Sequence, residues 1–220
     1  LKIGLDQIHE IILRLRVHRL FECKKGTVSI ENLLKHSLGV ACLSKKIAEF
    51  IKFEKKWAKV AFSLGLLHDI GKIGRYRIDE IEDSSTLERD SRFAVKESIS
   101  LIEVERLNNS PLHDYLGYII CKSCGYLPFA EEVTLWHHQS DACLRTGVSD
   151  DLAHKFVDLV IVANWLVHKY NYGFSGHKSI KRPPDSLFTR IGLSQNHIEE
   201  LVDSAHLHLQ KTSQINEFLF

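Results

Sequence analysis

Apolar side chains recur at helical spacing along most of the chain. In the stretch 30–51, Leu33, Val40 and Leu43 fall on one line, and the stretch 57–67 has the same spacing. Intervals of three and four residues place such side chains on one face of an α-helix. No stretch of any length alternates as a β-strand does, and no internal repeat is present. The sequence therefore predicts an all-α, multi-helical bundle.

Breaks in this pattern set the predicted helix boundaries. We predict helices over 5–21, 30–51, 57–70, 95–107, 110–125, 128–138, 152–170 and 194–210. Gly71 and Gly74 should end the helix that begins near Trp57, because glycine favours helix ends. The charged stretch 75–94 should be a loop, and a short turn is expected around Leu187.

Several predicted apolar faces carry a polar side chain. His36 lies between Leu33 and Val40, and His68 lies one turn beyond Leu64. The full set of inward polar residues is His36, His68, Asp69, His113, His137, His138 and Asn164. Each one alone is compatible with an ordinary core residue whose polar atoms are hydrogen-bonded. Because an unpaired buried polar group costs on the order of 1–3 kcal/mol, a shared divalent metal site explains the whole set better.

Ligand chemistry leaves the identity of this metal open. Imidazole and carboxylate groups together suit Fe, Mn, Zn, Ni or Mg, with positions left for water or phosphate. The adjacent His68 and Asp69 would deliver two such ligands from one helix end. A lone pair of cysteines, Cys121 and Cys124, is a much weaker candidate for zinc or redox chemistry, because no second pair accompanies it.

Composition excludes some classes of partner. Lys and Arg number 29 against 28 Asp and Glu in 220 residues, so no nucleic acid and no anionic membrane are indicated. No run has the length of a transmembrane helix. The five cysteines are an odd number, which fits a reducing compartment. We therefore expect a cytoplasmic protein.

The order of these motifs resembles the HD-domain superfamily of metal-dependent phosphohydrolases, in which a histidine precedes an HD dipeptide. His36 and His68-Asp69 match that pattern, and the segment SPLHDYLGYIICKSCGYLPFAEEVTLWHH resembles the HDOD subgroup. The later IVANWL is similar to the same subgroup. This resemblance implies an HDOD-like helical domain over 26–220, with 1–25 as the remnant of an N-terminal helical subdomain. It also implies a bacterial signalling domain.

The resemblance also implies roles for the site residues. Asp69 would bridge two ions, with His36 and His68 on one and the later histidines on the other. Asp69 and Lys72 are the candidate catalytic residues, Lys72 as the group that neutralises phosphate charge. The substrate would be a phosphoester or nucleotide.

Two departures weaken the catalytic interpretation. Asn164 stands where catalytic HD domains carry an aspartate, so a ligand charge is missing. The related HD-GYP enzymes carry a Gly-Tyr-Pro motif after the histidine pair, whereas this chain has QSDACLRTGVSDD, so cyclic di-GMP is not supported as substrate. The alternative is a non-catalytic regulatory module that binds signalling protein partners and keeps a relic or structural metal site.

Overall fold

The computed structural model describes residues 28–217 apart from 126, 149 and 179, and every regular element in this part of the chain is helical. The α-helices are α1 Ile30–Phe50, α2 Lys55–Leu67, α3 Ile70–Ile81, α4 Thr86–Glu97, α5 Leu101–Leu107, α6 His113–Cys124, α7 Ala130–Trp136, α8 Asp151–Lys169, α9 Asp185–Arg190 and α10 Gln195–Glu217. The all-α prediction is confirmed. The predicted helix over 5–21, and with it the segment 1–25, lies outside the described residues.

Helix α8 forms the centre of the bundle. Every residue of this helix from Phe156 to His168 is buried, and α1, α2 and α7 pack around it. Asp150 caps its first turn by accepting a hydrogen bond from the backbone N–H of Leu152. A helix that is apolar on all sides belongs inside a bundle, so the few polar side chains of α8 are buried as well.

The predicted helix end at Gly71 and Gly74 is wrong. Helix α2 ends at Leu67, and α3 begins at Ile70 and runs through both glycines. A Cβ atom on Gly71 would lie 1.8 Å from the carbonyl oxygen of His113. Gly71 therefore allows α3 and α6 to touch along their backbones, which brings the start of α6 beside the junction of α2 and α3.

The predicted loop over 75–94 is also wrong. Helix α3 continues to Ile81, and α4 occupies most of the rest. The single helix predicted over 95–107 is divided, because Ser98 adopts the left-handed conformation with φ of 56°. Ser100 and Glu103 then form a capping box that starts α5.

The remaining predicted helices agree with the structure to within a few residues, except at the C-terminus. Helix α10 extends to Glu217, beyond the predicted end at residue 210. The turn expected around Leu187 is the short helix α9.

Candidate metal centre

The junction between α2 and α3 places His68 and Asp69 in the interior. His68 is fully buried and Asp69 is 3% exposed. The His68 Nδ1–H donates to the carbonyl oxygen of Gly65 at 2.7 Å. Since a neutral imidazole has one N–H, this bond leaves the lone pair of His68 on Nε2, facing Asp69.

Imidazoles surround the Asp69 carboxylate on both sides. Its Oδ2 lies 3.3 Å from His68 Nε2 and 3.7 Å from His36 Nε2. Its Oδ1 lies 3.4 Å from His137 Nε2 and 3.6 Å from His113 Nε2. We call His36 and His68 the Oδ2 group, and His113, His137 and His138 the Oδ1 group. Within each group together with Asp69, one candidate ligand atom per residue lies within 4.8 Å of every other.

Hydrogen bonds on the outer side fix the orientation of two rings in the Oδ1 group. His113 Nδ1–H donates to Glu105 Oε2 at 2.7 Å, and His137 Nδ1–H donates to the carbonyl oxygen of Thr134 at 2.9 Å. Both Nε2 atoms are thus left as lone-pair donors toward the centre. The Nε2 atoms of His113 and His138 are 2.8 Å apart, a separation at which both could bind one ion.

The centre contains buried polar atoms with no hydrogen-bond partner. These atoms are His36 Nε2, His68 Nε2, Asp69 Oδ1 and His137 Nε2, and Asn164 Oδ1 on α8 is also buried without a partner. Buried polar groups are normally paired, and such clustered exceptions indicate a missing ion or water. The residues present therefore fit a divalent metal.

Burial disfavours the charged form of three imidazoles in these groups. It lowers the pKa of His36 and of His138 well below the ordinary value, and that of His68 to a lesser degree. Burial opposes ionisation of Asp69, but the neighbouring His68 ring and the Lys72 ammonium, which donates to Oδ2, outweigh burial and hold the pKa of Asp69 well below the usual range. These three imidazoles are thus held neutral and Asp69 ionised, the forms that bind metals.

Lys72 is as deeply buried as the candidate ligands. Its Nζ lies 2.7 Å from Asp69 Oδ2, and its side chain is 1% exposed. It lies on α3, one turn after Asp69. A buried ammonium is therefore in direct contact with the carboxylate between the two groups.

All the predicted site residues are buried or half-buried in the structure. Five of them form the two groups, and Asp69 lies between these groups: His36, His68, His113, His137 and His138. Asn164 is on α8, one turn before His168, whose ring centroid lies 4.8 Å from that of His36.

Sequence reasoning missed a buried ionic network behind His113. Glu105 accepts from His113 through Oε2 and from Arg75 through Oε1, and Arg75 also donates to Asp90. Glu105 and Asp90 are fully buried. Arg75 and Asp90 lie in the charged stretch that was predicted to be a loop, and Glu105 lies in a predicted helix. Only the packing of α3, α4 and α5 brings the three residues together.

Two further histidines were also missed. His177 stacks on His168 with ring centroids 4.4 Å apart, and neither ring nitrogen of the buried His177 has a hydrogen-bond partner. Burial lowers the pKa of His168 to about 3 and that of His177 well below its ordinary value. His168 follows Asn164 by four residues on the helix, which was the one signal for it in the sequence.

The two cysteines of the CxxC pair do not share an environment. Cys121 is buried and Cys124 is exposed. Burial raises the pKa of the Cys121 thiol to about 11, so it stays protonated at neutral pH. A thiolate is the form that binds zinc or attacks disulfides, and the structure therefore does not favour either role.

A solvent-connected cleft leads to the Oδ1 group. Its cavity of about 340 Å³ is lined by His137 and His138. Three cationic side chains, Arg106, Lys181 and Arg182, also line it, together with Glu103. The cleft therefore joins the candidate metal centre to a positively charged opening.

Comparison with known proteins identifies the family. A family model for the HDOD domain matches residues 1–140. The chain belongs to the HDOD domain family. Its fold is similar to the crystal structure of an HDOD domain protein with unknown function from Geobacter sulfurreducens, with 25% identity and a TM-score of 0.75 over 99% of this chain and 72% of that one. Comparison with curated proteins found no match.

Among the described helices of this HDOD domain, none combines the length and the apolar character needed to cross a membrane.

Proposed function

We propose that this HDOD domain is a metal-dependent phosphohydrolase that acts on a phosphoester or nucleotide in bacterial signal transduction. The observation that carries the proposal is the Asp69 carboxylate between two groups of buried imidazoles whose lone pairs face it. A purely structural core would not leave so many polar atoms without partners.

Different residues of the chain would bind the metal ions and the phosphate. The imidazoles of both groups would hold one or two divalent ions, and Asp69 would bridge them. A bound ion lowers the pKa of a coordinated water and stabilises charge on the attacking and leaving oxygens. The Lys72 ammonium would neutralise a phosphate oxygen, and the Asn164 amide oxygen would add an uncharged ligand.

The cleft supports an anionic substrate. Its lining includes the exposed Arg106, Lys181 and Arg182 as well as the buried His137 and the half-buried His138. A phosphoester that enters it would have its anionic groups among cations and its phosphorus near the candidate ions. These charges favour phosphoesters over neutral esters.

Metal content tests this proposal most directly. The purified protein, loaded with Mn, Fe or Zn, should bind stoichiometric metal by elemental analysis and hydrolyse bis(p-nitrophenyl) phosphate. His68→Ala should lose both properties, because it removes a ligand beside Asp69. The matched control is His206→Ala on the exposed side of α10, which should keep them. Absence of bound metal under every loading condition would refute the proposal.

A non-catalytic regulatory module is the second candidate. Asn164 favours it, since an amide ligand supplies no charge and holds an ion less tightly than aspartate does. Tyr115 and Ile119, one turn apart on α6, are 53% and 42% exposed and give a surface suited to a signalling protein partner. Stoichiometric metal without turnover of any phosphoester would favour this candidate over the enzyme.

A further inference from the structure

The candidate metal centre is short of negative charge. Of the six residues in the two groups with Asp69, only Asp69 is a carboxylate. An imidazole binds a metal in its neutral form, and Asn164 is an amide. Glu105 lies behind His113, but it also binds the Arg75 guanidinium, so its charge is already shared. Two divalent ions would therefore bring four positive charges to a single bridging carboxylate.

Lys72 adds a positive charge to this centre. Its buried ammonium donates to Asp69 Oδ2 at 2.7 Å. In a buried site the repulsion between like charges is weakly screened. The ammonium therefore already balances the one carboxylate before any ion binds.

The two oxygens of Asp69 are not equivalent. Oδ2 faces His36 and His68 and accepts from Lys72, whereas Oδ1 faces His113 and His137 and has no hydrogen-bond partner. An ion can bind the Oδ1 group through a free oxygen lone pair. An ion at the Oδ2 group would have to displace the Lys72 ammonium or lie beside it.

We propose that Lys72 acts as an internal cation that limits the centre to one divalent ion, held by the Oδ1 group, until an anionic phosphoester binds. The phosphate would draw the ammonium away from Asp69 Oδ2 and supply the negative charge that a second ion needs at His36 and His68. This inference rests on the proposed metal site, and it makes the second ion part of substrate binding. By linkage, the phosphate and the second ion should each strengthen the binding of the other.

Manganese binding to the full chain tests the inference. Equilibrium dialysis with elemental analysis gives the number of Mn²⁺ ions per chain, and electron paramagnetic resonance distinguishes a single Mn²⁺ from a coupled pair. Each measurement is made with and without inorganic phosphate, with chloride at equal ionic strength as the control. The wild type should bind one ion in chloride and two in phosphate, with the coupled signal only in phosphate.

Two variants make the net charge of the centre more negative, one by removing a positive charge and the other by adding a negative one. Lys72→Met removes the ammonium with little change in volume, and Asn164→Asp adds a carboxylate on α8. Each should bind two ions without phosphate, with the dissociation constant of the second ion lowered about tenfold or more, because ligand charge sets affinity. The control Lys96→Met removes an exposed lysine paired with Glu97 and should behave as the wild type does. Circular dichroism verifies that each variant is folded.

The outcomes separate this inference from the proposed function. Two ions bound to the wild type in chloride would overturn the inference and leave the metal site intact. One ion in the wild type and in both folded variants, whatever the anion, would also overturn it. No manganese bound to any protein would overturn both the inference and the proposed function.

Discussion

Two buried polar regions lie next to each other in this protein, and they share His113. In the ionic network of Arg75, Asp90 and Glu105, every carboxylate oxygen accepts a hydrogen bond, and among its polar atoms only Arg75 Nε has no partner. In the imidazole centre around Asp69, four buried polar atoms have no hydrogen-bond partner. Both regions are almost fully shielded from solvent.

This difference separates a structural polar region from a candidate functional one. In a fully hydrogen-bonded network, the hydrogen bonds offset the free energy of desolvating the charges. The unpaired atoms of the imidazole centre have no such compensation, and a bound ion would supply it. Glu105 connects the two regions because one oxygen binds Arg75 and the other holds the His113 ring.

Acid should affect the two regions at different pH, with the largest effect from the histidines in and beside the imidazole centre. Burial lowers the pKa of five histidines in the folded protein, namely His36, His68, His138, His168 and His177. The unfolded chain takes up protons as pH falls below the ordinary value of 6.5, whereas the folded protein resists them. Stability of the metal-free protein should therefore fall between about pH 6.5 and the lowered values, by about 1.4 kcal/mol per pH unit for each histidine.

The carboxylates should contribute only at lower pH. The pKa values of Asp90 and Glu105 are lowered from 3.8 and 4.5, so these carboxylates stabilise the fold fully above those values, and this stabilisation is lost as the pH falls below them.

Urea denaturation at pH 7.5, 6 and 5 measures the loss of stability that the histidines cause. His168→Leu should reduce the loss of stability per pH unit by the share of one histidine, which is about 1.4 kcal/mol. Constant stability from pH 7.5 to 5 would contradict the prediction.

Removal of Arg75 should have the next largest effect. Arg75→Met leaves two buried carboxylates without their shared cation, which should destabilise the metal-free fold by roughly 3–5 kcal/mol. Two residues later on α3, Arg77 is 52% exposed and pairs with Glu80. Arg77→Met should cost about 0–1 kcal/mol. Similar losses for both variants in urea denaturation would mean that the network contributes no more than a surface ion pair.

Loss of the Glu105 charge should have a smaller effect, and this effect should be on metal binding in the imidazole centre. Glu105→Gln weakens the hydrogen bond to His113 Nδ1, so metal affinity should fall about 10–100-fold. Calorimetric titration with manganese measures this change. Glu103→Gln is the control, because Glu103 caps α5 and has no bond to the candidate ligands. Equal affinity in the Glu105 and Glu103 variants would show that the network does not act on the centre.

The local pattern was enough to predict most of the candidate site. His36 and His68 were identified because each continues an apolar helical line that must face the core. Asn164 was identified in the same way, as a polar residue inside the most apolar helix. Such inferences need only the geometry of one helix.

The same reasoning failed to predict the charged helices. The stretch 75–94 was interpreted as a loop because its charged residues were expected to face solvent. Arg75 is buried instead, since Asp90 and Glu105 reach it from residues 15 and 30 positions away. A partner at that distance along the chain leaves no local signal.

The sequence by itself determined that His36, His68 and Asn164 face inward, because helical periodicity is a local property. Only the tertiary structure decided what those side chains meet. Gly71 fits equally well at the end of a helix or at a close contact between two, and the contact of α3 with the backbone of His113 selects the second. Likewise, the position of His177 against His168 depends on how a loop folds back onto α8. Charge pairing, backbone contact and loop placement all depend on residues far apart in the chain, and local spacing carries no information about them.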